Sequence, residues 1–224
     1  MVPPGTVRIL GPLLEGTVMR ARTDETVIIA LWAAALALSA IAPRDVATWF
    51  LEVLPVLIAA PLIWFTRKSF PLSRILLWCA CGHGLILIMG GHYTYAEVPV
   101  GFWLQDAFGF ARNPYDRIGH LAQGFVPALL TREILIRNTD LKRGRMMFVL
   151  ACCVPLAFSA FYEMIEWWAA VIMDQDAEAF LGTQGDPWDT QWDMFLALTG
   201  AVAAQVLLAR LQDRQIFDLK IGGD

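Results

Sequence analysis

Six apolar stretches, at roughly 26–42, 48–65, 72–93, 117–136, 146–172 and 192–210, set the terms on which this chain can fold. A run of about 17 to 25 apolar residues is long enough to cross a bilayer as a helix. Inside hydrocarbon every backbone N–H and C=O must find its partner within the protein, which a helix achieves by itself. The predicted fold is therefore all-α, a polytopic membrane bundle of about six transmembrane helices. Composition agrees: 57% of the 224 residues are hydrophobic, only 17% are charged and the mean hydropathy is +0.53. That exceeds the apolar share of ordinary soluble domains.

Basic residues orient such a bundle, because they stay on the cytoplasmic side. Arg8, Arg20 and Arg22 precede the first run, Arg67, Lys68 and Arg74 separate the second from the third, Arg137, Lys142, Arg143 and Arg145 separate the fourth from the fifth, and Arg210, Arg214 and Lys220 follow the sixth. The alternate connections hold only Arg44, then Arg112 and Arg117, then none. Six spans with both termini cytoplasmic satisfy this pattern. Residues 1–25 read as a cytoplasmic arm, 26–210 as the transmembrane domain and 211–224 as a cytoplasmic tail. Asp24 and Glu25, directly before the first run, make a poor signal-peptide leader, so that run is expected to stay as an uncleaved span.

A net charge of −4 and a pI near 5.4 leave no basic surface suited to nucleic acid. Cys79, Cys81, Cys152 and Cys153 lie in apolar runs without the paired spacing of disulfide frameworks or thiolate metal sites, and read as small buried thiols. Membrane lipid is the expected surrounding.

Chemistry concentrates at NPYDRIGHLAQGF, residues 113–125. Asp116 and His120 are four apart, which stacks them on one helix face with Gln123 a further turn along. On the deduced topology Asp116 lies at the envelope boundary and His120 about 6 Å deeper, at 1.5 Å per residue. Glu166 and Glu163 fall about 9 and 13 Å below the same surface by that rise. Asp186, Asp189 and Asp193 precede the last span from that side, His92 closes the third span there, and Glu52 opens the second. Ionisable groups at such depths normally face one another, a cavity or a cation.

Carboxylate oxygens suit hard divalent cations, and imidazole adds affinity for zinc or manganese. Asp116, His120, Glu163 and Asp193 are the candidate ligands for zinc, manganese or magnesium. Glu166 and Asp189 are candidates for activating water, with His92, Asp186, Gln123 and Arg117 around the site. The bland alternative, a set of interhelical hydrogen bonds, returns about 1 kcal/mol each, little for burying so many ionisable groups. His83, between two glycines in mid-span, reads as a packing histidine. The connection 94–112 mixes Phe102, Trp103, Phe108 and Phe110 with acids, as an amphipathic connector or a flap over the site would. Trp167, Trp168, Trp188 and Trp192 fit an interfacial belt.

NPYDRIGHLAQGF, FYEMIEWW and GTQGDPWDTQWDM, in this order and spacing, resemble the YjdF family of bacterial inner-membrane proteins over about residues 30–210. A more distant likeness is to VanZ-like envelope proteins, associated with glycopeptide tolerance. There Asp116 and His120 match an Asp-Lys-x-x-His pair with Arg117 for the lysine, Glu163 matches a glutamate with Glu166 where glutamine would stand, and Asp193 and Gly200 match the last block with Ala197 for its asparagine.

Three functions fit these readings. The first is a metal-dependent membrane hydrolase or transferase acting on a lipid or a lipid-linked envelope substrate. The second is a proton- or cation-coupled transporter, which needs a polar path through the inner half of the bundle. The third is a non-catalytic envelope binding protein held together by a cation.

Overall fold

The computed structural model describes residues 23–173 and 184–221, and every regular element among them is helical. In chain order these are α1 (23–39), α2 (Val46–Thr66), α3 (Arg74–Tyr93), a 3-10 turn at Tyr95–Glu97, α4 (Pro99–Phe108), α5 (Tyr115–Asn138), α6 (Arg145–Met173) and α7 (Asp189–Ile221). The expected N-terminal arm as far as residue 22, residues 174–183 of the acidic connection and residues 222–224 of the tail lie outside the described residues.

Local chemistry accounts for the boundaries. The Asp45 carboxylate accepts from the Thr48 amide at 2.7 Å, capping α2. Pro99 occupies the first turn of α4, where its missing N–H costs nothing, and Gly109 ends that helix at φ +68°. The connection 94–112 thus contains a short helix, with Phe102, Trp103, Phe108 and Phe110 exposed.

Of the seven α-helices among the described residues, α2, α3, α6 and α7 are long and apolar enough to cross a membrane. Helix α5 has 24 residues but carries Asp116, Arg117, Arg132, Glu133 and Arg137. Its position explains that composition: it packs on α3, α6 and α7, so its polar faces meet protein rather than hydrocarbon.

The α5–α7 contact is backbone to backbone. A Cβ on Gly124 would run into the Ala197 carbonyl, and one on Gly200 into the Leu121 carbonyl. Small residues permit such approach, which drives helix association where no hydrophobic effect operates. Leu76, Val126, Leu129, Cys152, Ala201 and Ala204 form the apolar core around this contact. A second core joins Ile28 and Trp32 of α1 to Val53, Leu77, Cys81 and Ile88, with the Trp32 indole seated over Gly84 and donating to the Cys81 carbonyl at 3.2 Å. Cys81 and Cys152 are buried as expected, whereas Cys79 is half-buried and Cys153 lies on an exposed face of α6, and all four are free thiols.

A polar network missing from the sequence reading closes one end of the bundle. Glu133, fully buried, accepts from the Ser73 amide at 2.8 Å, the Ser73 hydroxyl at 2.5 Å, Arg137 at 3.2 Å and Gln212 at 3.3 Å. Arg132 donates to Gln212 at 3.1 Å and Asp213 at 3.0 Å. Residues 211–221 continue α7, with Gln212 and Ile216 fully buried. Arg74 pairs with Asp24 at 2.6 Å and the Ile75 amide donates to Gln215 at 2.8 Å, so the start of α1 and the end of α7 both lie beside the start of α3.

Gly124→Val will force α5 from α7 and lower the unfolding free energy by about 2 kcal/mol or more, read by thermal unfolding in detergent. Substitution at Gly82, where an added Cβ meets nothing within 4 Å, will leave stability nearly unchanged.

Candidate functional site

At the opposite end, three helices converge on one imidazole nitrogen. Asp116 and His120 lie one turn apart near the start of α5, with Asp116 Oδ1 3.4 Å from His120 Nε2. Helix α6 brings Glu163 Oε1 to 3.9 Å and α7 brings Asp193 Oδ1 to 3.8 Å of that nitrogen. The Asp193 side chain is only 4% exposed, and those of His120 and Glu163 11%. Donor atoms of Asp116, His120 and Asp193 all lie within 4.8 Å of one another. Asp193 Oδ1, Glu163 Oε1 and His120 Nδ1 are buried without a hydrogen-bond partner among the described residues. Such orphaned acceptors facing inward are costly unless something positive binds them.

A rim of arginine pairs surrounds this group. Arg112 forms a tight pair with Asp189 and reaches Asp116 at 3.9 Å, and Arg117 reaches Asp186 at 3.1 Å. The Arg117 guanidinium also lies 5.6 Å from the Trp192 ring centroid. The Asn113 backbone N–H donates to Gln184 Oε1 at 3.1 Å and Gln184 Nε2 donates back to the Asn113 carbonyl at 3.2 Å, while the Asn113 side-chain Nδ2 donates to the Val98 carbonyl at 3.1 Å. Asn113 therefore holds α4, the start of α5 and the approach to α7 in one register.

A further layer comes from α2 and the 3-10 turn. The Tyr95 ring sits in notches left by Gly90 and Gly119, and its hydroxyl donates to Glu52. Burial, then the neighbouring Glu52, pushes the Tyr95 phenol well above its ordinary value, so it stays a hydroxyl donor. Glu52 lies within electrostatic reach of Asp116, His120 and Glu163. Glu166 is likewise within reach of Glu163, Glu52, His120 and Asp116.

The fold thus brings Asp116, His120, Glu163 and Asp193 together, with Glu166 alongside. Asp186 and Arg117 pair with each other at the rim. Asp189 is paired with Arg112. His92 points elsewhere, with Nδ1 2.9 Å from the Ser39 carbonyl. Gln123 is half-buried. His83 lies within electrostatic reach of His120. Tyr95 escaped sequence reasoning because an aromatic residue in a connection carries no ionic signal, and only the two glycine notches reveal its seat.

A bundle of apolar helices around a buried cluster of acids and a histidine defines a polytopic integral membrane protein with a polar site embedded at one end. The chain belongs to the family of predicted membrane proteins designated DUF2238, which it matches over residues 25–214. It is 52% identical over 176 residues to inner membrane protein YjdF of Escherichia coli (strain K12), a match covering 79% of this chain and 84% of that protein. It is accordingly a YjdF-family protein of the inner membrane. No solved structure matches it.

Arg112→Met will strand the Asp189 and Asp116 carboxylates and cost about 3 kcal/mol of stability. Adding Asp189→Asn will recover part of that loss, because the second change removes the charge the first left unpaired; thermal unfolding of the single and double variants measures both.

Proposed function

We propose that the cluster is a divalent-cation site of a membrane enzyme acting on a lipid or lipid-linked head group by hydrolysis or group transfer. The observation that carries this reading is the set of inward-facing carboxylate oxygens from α5, α6 and α7 around His120 Nε2, two of them without hydrogen-bond partners among the described residues. Asp116, His120 and Asp193 would hold the ion, with Glu163 as a fourth ligand, and zinc, manganese and magnesium all accept such donors. The ion would polarise a head-group oxygen and acidify a bound water. Glu166, near but outside the ligand group, is the base expected to take the proton, and Arg112 holds Asp189 and Asp116 in place.

In this reading six helices span the bilayer with both termini cytoplasmic, so the site opens toward the envelope. The basic connections support it, as does the shared position of the start of α1 and the end of α7. A proton- or cation-coupled transporter is disfavoured by Leu76, Val126, Leu129, Ala201 and Ala204, an apolar cluster between the acidic site and the Glu133 network.

Purified protein will contain a divalent ion in stoichiometric amount, measured by elemental analysis, and Asp193→Asn and His120→Ala will each abolish it. EDTA will lower thermal stability, by about 2.7 kcal/mol for an ion previously present at a hundred times its Kd. Metal-free protein that turns over envelope lipid extract at the full rate would overturn the assignment. Stoichiometric metal with no turnover would leave the non-catalytic, cation-stabilised binding protein in its place.

A further inference from the structure

Beside the acidic site lies a groove of about 600 Å³ that the reading above does not use. Its walls are largely apolar, formed by Leu104 and Phe108 of α4, Phe110 of the connection that follows, Ile118 and Leu121 of α5, and Leu196 of α7. One end is polar: Arg112, Arg117 and Asp186 line it. The outer wall belongs to a helix whose Phe102, Trp103 and Phe108 are exposed, so the groove adjoins surface suited to the bilayer interface.

We propose that this groove seats a membrane phospholipid, with an acyl chain along the apolar walls and the phosphate at Arg117 and Arg112. Charge and geometry commit the site to this occupant. A guanidinium binds phosphate oxygens by paired charge-assisted hydrogen bonds. The Arg117 side chain is 37% exposed, so part of it remains open to a ligand, and Asp186, its one carboxylate partner among the described residues, sits on a turn where the Trp188 amide already donates to the other carboxylate oxygen at 3.0 Å. Arg112 reaches Asp116, the first member of the His120 cluster, at 3.9 Å. A phosphate held here therefore lies next to the candidate cation site while its chain stays in the groove. The proposal rests on the head-group reading above and supplies its substrate class, a phosphate-bearing lipid, yet its binding step requires no cation.

The test uses the full chain, purified in a non-ionic detergent and stripped of lipid. Native mass spectrometry follows binding of a phosphatidic acid, a diacylglycerol with the same chains, and inorganic phosphate, with and without EDTA. The phosphatidic acid is expected to bind at least about tenfold more tightly than the diacylglycerol, the scale of one charge-assisted hydrogen bond. Arg117→Gln will erase that preference, and Leu121→Trp, which fills the groove, will weaken both lipids. Asp186→Asn, which releases Arg117 from its carboxylate, will tighten phosphatidic acid binding, a gain that misfolding cannot produce. Equal binding of the two lipids, indifference to Arg117→Gln and Asp186→Asn, or displacement of the lipid by inorganic phosphate at equal concentration would each overturn the proposal. Elemental analysis of the same samples separates the readings: lipid preference that survives EDTA and Asp193→Asn upholds the groove even if the cation site fails, and bound metal without lipid preference sinks the groove alone.

Discussion

Everything at the acidic end of this protein hangs on the close approach of α5 to α7. Gly124 against the Ala197 carbonyl and Gly200 against the Leu121 carbonyl let two backbones touch in mid-bundle. In hydrocarbon there is no hydrophobic force to press helices together, so packing at such small-residue contacts and the polar pairs flanking them must do it. Those pairs occur on both sides of the contact: Arg112 with Asp189 and His120 near Asp193 toward one end, Arg132 with Asp213 and Gln212 toward the other.

The two polar ends are built differently, and the difference lies in how far their buried groups are satisfied. Around Glu133 the two carboxylate oxygens have donors from Ser73, Arg137 and Gln212, which leaves a satisfied network with nothing to bind. Around His120, Asp193 Oδ1 and Glu163 Oε1 lack donors among the described residues. A satisfied buried network rigidifies, whereas an unsatisfied one is unfavourable unless a ligand completes it. The candidate site and the neighbouring groove share the rim residues Arg112 and Arg117, so binding of a cation and of a phosphate at this end would act on the same charges.

The helical, membrane-spanning character of the chain was legible because bilayer thickness demands long apolar runs, and Asp116, His120, Glu163 and Asp193 were legible because ionisable residues are conspicuous inside such runs. Arg132 and Glu133 are equally charged, yet near a run's end they look like boundary residues. Their complete burial depends on Ser73 and Gln212, distant in sequence. Asp189 looked like a free acid because its partner, Arg112, is 77 residues away. His92 sat at the expected level of the bundle but on a helix turned toward Ser39.

By itself the sequence determined that this is a helical membrane protein, which residues would be awkward in lipid, and at which end they would gather; each follows from one-dimensional quantities, namely run length, charge placement and rise per residue. Tertiary structure alone decided which awkward residues meet. Helix rotation and crossing, set by glycine contacts such as Gly124 and Gly200 and by the Tyr95 wedge between Gly90 and Gly119, sent His120 toward Glu163 and Asp193 and turned His92 away. Those rotations depend on side-chain packing between segments far apart in the chain, a property that no single stretch of sequence carries.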